Sequence, residues 1–329
     1  MSAPDLSLAE LTKFGITPED ERPHPFSPDY EWWNESVFYD WYDAGGANAG
    51  HCRIGWHPNQ QRLWVWLFLY NGAEWVAIEE PRLPFSSLKL PAIAYDDGWG
   101  LKFSYMVKEP LRSGRFEIDG FGRVISGPRA GMILPVSVAL DVTTVGAAHS
   151  HGQSTVAGHK AEQFSTSRFE QPIRAHGVYT IGGERRTIEC RGERDHSWGP
   201  RLWNMEWNFL VLNNEAFRAQ CVIVRIPDVS EIRVGYLHRA TTVSVNQVEL
   251  DLSFDDASLQ HPVRGRFVLQ AEDGDRVAGT IEPISGAEID ITHTFVPPRR
   301  SAYRRTLIRC TTDDGQRALG WLESNRFVD

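Results

Sequence analysis

Apolar and polar positions alternate with a period of two along most of the chain. Gly, Pro, Asn and Asp interrupt the alternation at roughly the eight-to-twelve-residue spacing of β-proteins. In residues 62–70 both alternating faces are apolar, which indicates a strand covered on both sides, as in a barrel wall. Helical patterns are short and lie at residues 7–13 and 161–164. The pattern therefore predicts an all-β protein built from antiparallel β-barrels or half-barrels.

A weak internal sequence repeat suggests that the fold contains two similar halves. Residues 31–34 read Glu-Trp-Trp-Asn and precede a strand with Cys52, whereas residues 206–209 read Glu-Trp-Asn-Phe and precede a strand with Cys221. A chain of 329 residues is long enough for two domains. We therefore predict one barrel in residues 1–200, with a short N-terminal arm, and a second in residues 201–329.

Composition narrows the class of protein. The net charge of −9 disfavours nucleic-acid binding, and the longest apolar or aromatic run, residues 63–70, is too short to span a membrane. With no secretory pattern at the N-terminus, the expectation is a cytoplasmic protein without stable membrane insertion. Four cysteines without CxxC spacing indicate reduced core thiols. Twelve tryptophans are the unusual feature, since such rings fill a core or line an apolar cavity.

The most unusual local sequence is residues 191–201, which place five charged residues, a histidine and a tryptophan between two predicted strands. One interpretation is a surface turn whose ion pairs add little stability. The other holds that Trp198 keeps Asp195 and His196 poorly solvated. Desolvation then raises the pKa of the carboxyl and lowers that of the imidazole toward values suited to proton transfer.

Two motifs carry a family resemblance. Glu31-Trp32-Trp33 together with Asp195-His196-Ser197-Trp198-Gly199 resembles the superfamily of hydroxyneurosporene synthase, the carotenoid 1,2-hydratase, with its AttH-like, Svf1-like and kievitone-hydratase-like members. The form Asp-His-Ser-Trp-Gly-Pro-Arg is similar to a bacterial branch of that superfamily. The resemblance implies two tandem lipocalin-like (calycin) barrels with an apolar pocket near their junction.

The resemblance also implies cofactor-free chemistry on an apolar, isoprenoid-like or polycyclic molecule. Asp195 takes the role of the acid that protonates an alkene, and Trp198 shapes the pocket. Ser197 stands where the hydratases commonly carry a glutamate, which puts hydration in doubt and favours His196 as a proton shuttle for isomerisation, dehydration or lyase chemistry. The expected substrate-binding residues are Trp33, Glu35, Tyr39, Trp198, Glu206, Trp207, Tyr236 and His238.

Other classes of function stay open at this point. A non-catalytic lipid carrier needs the tryptophans but neither Asp195 nor His196, and a pericyclase needs only the shape of the pocket. A metal site at His149, His151 and His159 is disfavoured because their spacing matches no common motif. No phosphate-binding glycine loop or Gly-x-Ser-x-Gly motif is present, so no cofactor is expected. The oligomeric state stays open, a homodimer included.

Overall fold

The computed structural model confirms the predicted all-β class, with 68% of residues in strands and 5% in helices. It describes residues 6–85, 92–98, 100–150, 155–156, 159–160, 167–201, 203, 205–226, 231–255, 261–294 and 301–328. The helix predicted at residues 161–164 lies outside these ranges. Chain contacts divide the molecule into unit 1 (Met1–Gly152 and Glu162–Arg201) and unit 2 (Gln153–Ala161 and Leu202–Asp329).

Unit 1 is dominated by one antiparallel sheet. The strands of the first part of the chain are β1 (Trp33–Asp43), β2 (Ala49–His57), β3 (Arg62–Tyr70), β4 (Trp75–Pro84), β5 (Ala92–Asp96), β6 (Lys102–Glu109), β7 (Ser113–Ser126), β8 (Ile133–Thr144), β9 (His149–Ser150), β10 (Thr155–Val156), β11 (His159–Lys160), β12 (Ser167–Ile181) and β13 (Glu184–Pro200). The sheet order is β4-β3-β2-β1-β13-β12-β8-β7-β6-β5, β9 pairs with β12, and β10 pairs with β11 separately. Strand β4 also pairs with β7, so the eight strands from β4 to β7 in this order form a closed ring of neighbours.

The inward face of this ring carries the apolar core of unit 1. On β1 the core positions are Val37, Tyr39 and Trp41, and on β13 they include Ile188 and Cys190. Because side chains alternate across a strand, odd positions of β1 and even positions of β13 point inward. This parity decides which polar residues of the two strands can meet.

The charged stretch at residues 191–200 is not a turn between strands, as its composition suggested, but the second half of β13. It pairs with β1 on one side and with β12 on the other. The charges are tolerated because opposite charges lie beside them: Arg194 contacts Glu21, and Asp195 contacts Arg168. Charge alone therefore did not indicate exposure here.

The N-terminal segment packs against unit 1. Helix α1 (Leu8–Leu11) starts at Ser7, whose hydroxyl accepts a hydrogen bond from the backbone of Glu10. Leu11 and Ile16 are buried against Leu111, Ala148 and Phe169. A 3₁₀ turn at Pro18–Glu21 follows, and it brings Glu21 and then His24 to the inward side of β13.

Unit 2 contains a closed eight-stranded barrel, β14 (Glu206–Asn213), β15 (Arg218–Arg225), β16 (Ile232–His238), β17 (Thr242–Phe254), β18 (Pro262–Ala271), β19 (Arg276–Glu288), β20 (Ser301–Thr312) and β21 (Arg317–Phe327). Alternate residues such as Leu210, Leu212, Ile308 and Leu322 form its core. The four cysteines are buried and unpaired, two in each core. None of the described helices has the length and apolar character needed to cross a bilayer.

Candidate active site

A carboxylate and an imidazole meet on the inward face of unit 1. Residue 35 of β1 lies opposite Trp198 of β13, and Val37 lies opposite His196, so Glu35 and His196 are diagonal neighbours on one face. The Glu35 Oε1 lies 2.5 Å from the His196 Nε2. Both side chains are buried, with 2% and 1% of their surface exposed. The strand register therefore builds a desolvated carboxylate–imidazole pair, which we call the Glu35–His196 dyad.

A second histidine and two aromatic rings surround the dyad. The backbone N–H of His24 donates to Glu35 Oε2 at 3.0 Å, and the His24 Nδ1 lies 3.2 Å from Oε1. The His24 ring stacks on the Trp198 indole with centroids 3.9 Å apart and planes within 2° of parallel. Phe169, directly opposite His196 on β12, approaches its ring edge-on at 5.8 Å. The dyad is thus held in a mostly aromatic environment.

The hydrogen bonds around Glu35 determine its charge. Burial by itself raises the pKa of Glu35, but the hydrogen bonds from His196 and His24 outweigh it and hold the pKa below its ordinary value. An ionised Glu35 accepts a hydrogen bond from the Nε2–H of His196, which leaves Nδ1 as the acceptor nitrogen of the neutral imidazole. That Nδ1 is buried and has no hydrogen-bond partner within the described part of the chain.

A second ion pair supports the same face one step along β13. Arg194 Nη2 donates to Glu21 Oε1 at 2.5 Å and to Gln171 Oε1 at 2.7 Å. Burial raises the pKa of Glu21, yet the charge and hydrogen bonds of Arg194 outweigh it and lower the pKa overall. Leu111 N–H also donates to Glu21 at 2.9 Å. This pair ties the N-terminal segment to β13 and so fixes the position of His24.

His24, Glu35 and His196 also offer three metal-ligand atoms within 4.8 Å of one another. A histidine that binds a metal usually donates its second ring N–H to a carboxylate or carbonyl. His196 has no such partner at Nδ1 in the described ranges, and its Nε2 is already hydrogen-bonded to Glu35. The cluster fits a hydrogen-bonded acid–base group better than a resident metal centre.

Asp195 does not join this group. As the neighbour of His196 on β13 it points to the opposite face of the sheet. There its Oδ2 accepts a hydrogen bond from Arg168 Nη2 at 2.7 Å, and Arg168 also contacts Glu170. The structure therefore places Asp195 and His196 on opposite faces of β13, because residues adjacent in a strand do not share a face.

The other residues expected in unit 1 lie in three places: beside the dyad, in the core and at the start of β1. Trp198 lies beside the dyad, with its ring 5.4 Å from that of His196. Tyr39 is buried in the core, where it packs on Phe116 and Tyr105 at 5.4 and 5.9 Å. Trp33 begins β1, and its carbonyl oxygen lies 3.2 Å from the Nδ1 of His57.

The residues expected in unit 2 have structural contacts of their own. Glu206 accepts a hydrogen bond from the backbone N–H of Phe327 at 2.9 Å. The Trp207 indole N–H donates to Glu323 at 2.5 Å, and His238 Nδ1 lies 3.0 Å from the Thr242 hydroxyl oxygen. Tyr236 is fully buried on β16. None of these three contacts involves the Glu35–His196 dyad.

The sequence did not indicate two residues of this site, His24 and Glu21. Both lie in an irregular segment without periodicity, and only two prolines, Pro23 and Pro25, mark the position of His24. In the disfavoured histidine tract, His149 is buried edge-on against Phe14 at 4.7 Å, and burial lowers its pKa to about 4. His151 and the side chain of His159 lie outside the described residues.

The buried carboxylates predict acid sensitivity. Glu21 and Glu35 both have pKa values below their ordinary 4.5, so folding favours their ionised forms. The stabilisation they provide is complete above about pH 4.5 and is lost as the pH falls through the lowered values. We expect the melting temperature, measured by circular dichroism, to fall steeply below about pH 4.5. Glu21→Gln should flatten part of that decline, and an unchanged acid limb would contradict the assignment.

Comparison with known proteins places this geometry in context. A family model described as "Domain of unknown function (DUF7064)" matches residues 17–328. No curated protein matches the chain. Among solved structures, an AttH-like protein (NE1406) from Nitrosomonas europaea is 14% identical, with a TM-score of 0.63 over 95% of this chain and 97% of that one.

Two further structures share the fold. CghA, solved with Sch210972, is 11% identical, with a TM-score of 0.60 over 90% of this chain and 88% of its own. Kievitone hydratase from Nectria haematococca is 10% identical, with a TM-score of 0.58 over 97% and 95% of the two chains. At these identities the likeness shows the fold, and it confirms the resemblance to the tandem calycin, AttH-like proteins.

Proposed function

The chain belongs to the DUF7064 family, and we propose that it is a cofactor-independent lyase or isomerase that acts on an apolar small molecule by acid–base catalysis. The reacting group is the Glu35–His196 dyad, and the rings of Trp198, Phe169 and His24 lie beside it. The substrate class is isoprenoid-like or polycyclic. Asp195, the acid expected from the sequence, has no part in this mechanism because it faces the other side of β13.

The observation that carries the proposal is the state of His196. Its Nε2 is held by Glu35 at 2.5 Å, and its buried Nδ1 has no partner among the described residues. A carboxylate bound to one ring nitrogen fixes the tautomer and stabilises the imidazolium that forms when the other nitrogen takes a proton. An imidazole used only for packing gains nothing from leaving a buried nitrogen without a hydrogen bond.

The chemistry follows from one proton acceptor in an apolar environment. His196 Nδ1 removes a proton from a carbon beside a double bond, and the electron pair of that C–H bond shifts into the π system. Returning a proton from Nδ1 to the far carbon gives the isomer, and this proton is either the one removed or one exchanged for it with solvent. Where a hydroxyl stands on the neighbouring carbon, the proton instead leaves with it as water, and the product is an alkene. Neither route needs an oxidant or a cofactor.

The structural relatives support this class of chemistry. Kievitone hydratase is by its name a hydratase. A dehydration is the reverse of a hydration, so one carboxylate–imidazole dyad can serve either direction. A pericyclase, by contrast, needs no proton transfer, which makes the two chemistries separable by isotope labelling.

Labelling in heavy water tests the proposal. The purified protein is incubated in D₂O with an apolar extract of its source cells, and the products are resolved by mass spectrometry. We expect one component to be converted into a species that carries deuterium on carbon or has lost water, because the proton held on His196 Nδ1 exchanges with solvent before it is returned. Asp195→Asn should give the same labelled product, since Asp195 lies on the opposite face.

Two results would overturn the proposal. Recovery of a bound component with unchanged mass would identify a carrier. Conversion without deuterium, retained when His196 is replaced by Gln, would identify a pericyclase. A labelled product that disappears in His196→Gln and is still formed by Asp195→Asn supports the dyad.

A further inference from the structure

The hairpin formed by β7 and β8 ends in an unusual surface. Nine large apolar side chains of the described chain are exposed, and four of them lie at this one tip. They are Phe121, Ile125, Met132 and Ile133, exposed by 62%, 36%, 50% and 52%. We call these four residues, together with Arg123, the hairpin patch. Exposed apolar side chains gathered at one place mark a contact surface.

The strand register places Phe121, Arg123, Ile125 and Ile133 on the outward face, and Met132 lies in the turn just before β8. Phe121 pairs with Pro135, and Arg123 pairs with Ile133, so their side chains emerge side by side. Along this face β7 changes from charged residues at 115, 117 and 119 to Phe121, Arg123 and Ile125 near the tip. The inward residues of the same segment, Val124 and Leu134, are buried. The exposure is therefore a property of the face and not of a frayed end.

The tip is held in shape by its own turn. Gly131 N–H donates to Val124 O at 2.7 Å, and Val124 N–H donates to Met132 O at 2.8 Å. Gly127 and Gly131 have φ values of 100° and 92°, a region that glycine adopts without strain. Arg129 is fixed by Glu74 through three hydrogen bonds from its side chain and one from its backbone. The apolar side chains are thus presented on an ordered support.

Charge indicates which partner fits this tip. The protein has a net charge of −9, yet residues 120–135 contain no Asp or Glu and two arginines. Glu74 neutralises Arg129, which leaves Arg123 as the cation between the exposed apolar residues. Apolar side chains that enter the acyl boundary beside a cation at headgroup level match an anionic lipid surface.

We propose that the hairpin patch docks the protein on an anionic membrane surface, with Phe121, Ile125, Met132 and Ile133 entering the interface and Arg123 contacting lipid headgroups. This is a surface contact made by a convex tip and needs no membrane-spanning segment. It does not depend on the proposed catalysis, although an apolar substrate would be most concentrated in a membrane. Vesicle binding measures it without any turnover.

Co-sedimentation with vesicles tests the proposal. The full chain is mixed with vesicles of phosphatidylcholine alone or with about one third phosphatidylserine. We expect binding to the anionic vesicles and little to the neutral ones. The double variant Phe121→Ser/Ile133→Ser should bind about tenfold more weakly, because the inserted apolar area is reduced. Arg123→Gln should remove the preference for phosphatidylserine.

The matched control is Val263→Ser, which changes a side chain of unit 2 that is 49% exposed. It should bind as the unchanged protein does. The proposal fails if the unchanged protein ignores both vesicles or if the double variant binds equally well. It also fails if light scattering shows a dimer that the double variant converts to a monomer, since the patch would then contact a second copy of the chain.

Discussion

Replacing His196 by Gln is expected to lower kcat/KM about 10²–10⁴-fold, the usual contribution of a positioned acid–base group. The His196 side chain is 1% exposed, and its Nδ1 is the ring nitrogen that Glu35 leaves free to meet a substrate. Glu35→Gln should produce a loss of similar size, because an amide can donate to Nε2 and so stabilise the wrong tautomer of His196. The measurement is the initial rate of formation of the labelled product identified in D₂O.

Two controls separate catalysis from folding. Asp195→Asn should retain the full rate, since its carboxylate contacts Arg168 at 2.7 Å on the other face of β13. The melting temperatures of the His196 and Glu35 variants show how much of each protein is folded at the assay temperature. A folded His196→Gln protein with undiminished turnover would refute the dyad. A folded Asp195→Asn protein without turnover would return the acid role to Asp195.

The fold followed from the sequence where alternation and burial agree. In β1 and β3 every second residue, such as Val37 and Leu67, lies in the inward core of unit 1, and the other face of β3 is buried as well. The prediction failed at residues 191–200 because this charged stretch was taken to separate two strands, whereas it lies within one. In β13 those charges face Glu21 and Arg168, which come from distant parts of the chain. No local pattern contains that information.

The candidate site was only partly predictable for the same reason. His196 and Trp198 lie in the second motif and Glu35 lies two residues after the first, but which of them meet depends on the pairing of β1 with β13. Once residues 195 and 196 are known to lie in a strand, parity alone separates them. His24 reaches the dyad through an aperiodic segment anchored by Glu21, and neither residue carried a signal in the sequence.

Replacing Arg194 by Met should lower the free energy of unfolding by about 3–5 kcal/mol. The change leaves the carboxylate of Glu21, 2% exposed, without the guanidinium that neutralises it. Burial then dominates and raises the pKa of Glu21, so the variant must fold around either an unpaired charge or a newly bound proton. Urea unfolding of the variant and of the unchanged protein measures the difference.

The double variant Glu21→Gln/Arg194→Met provides the decisive comparison. It removes both charges, so it should recover a large part of the free energy of unfolding lost in Arg194→Met alone. The deficit of Arg194→Met should also shrink as the pH falls toward and then below 4.5. In the variant the raised pKa lets Glu21 take up a proton above that pH, and in the unchanged protein the lowered pKa means that the ion pair is lost below it. Loss of the anchor should also loosen the segment that carries His24, and the rate should fall more than the folded fraction does. Equal stability of the single and double variants at every pH would show that Glu21 and Arg194 are not coupled, and the N-terminal segment would then need another anchor.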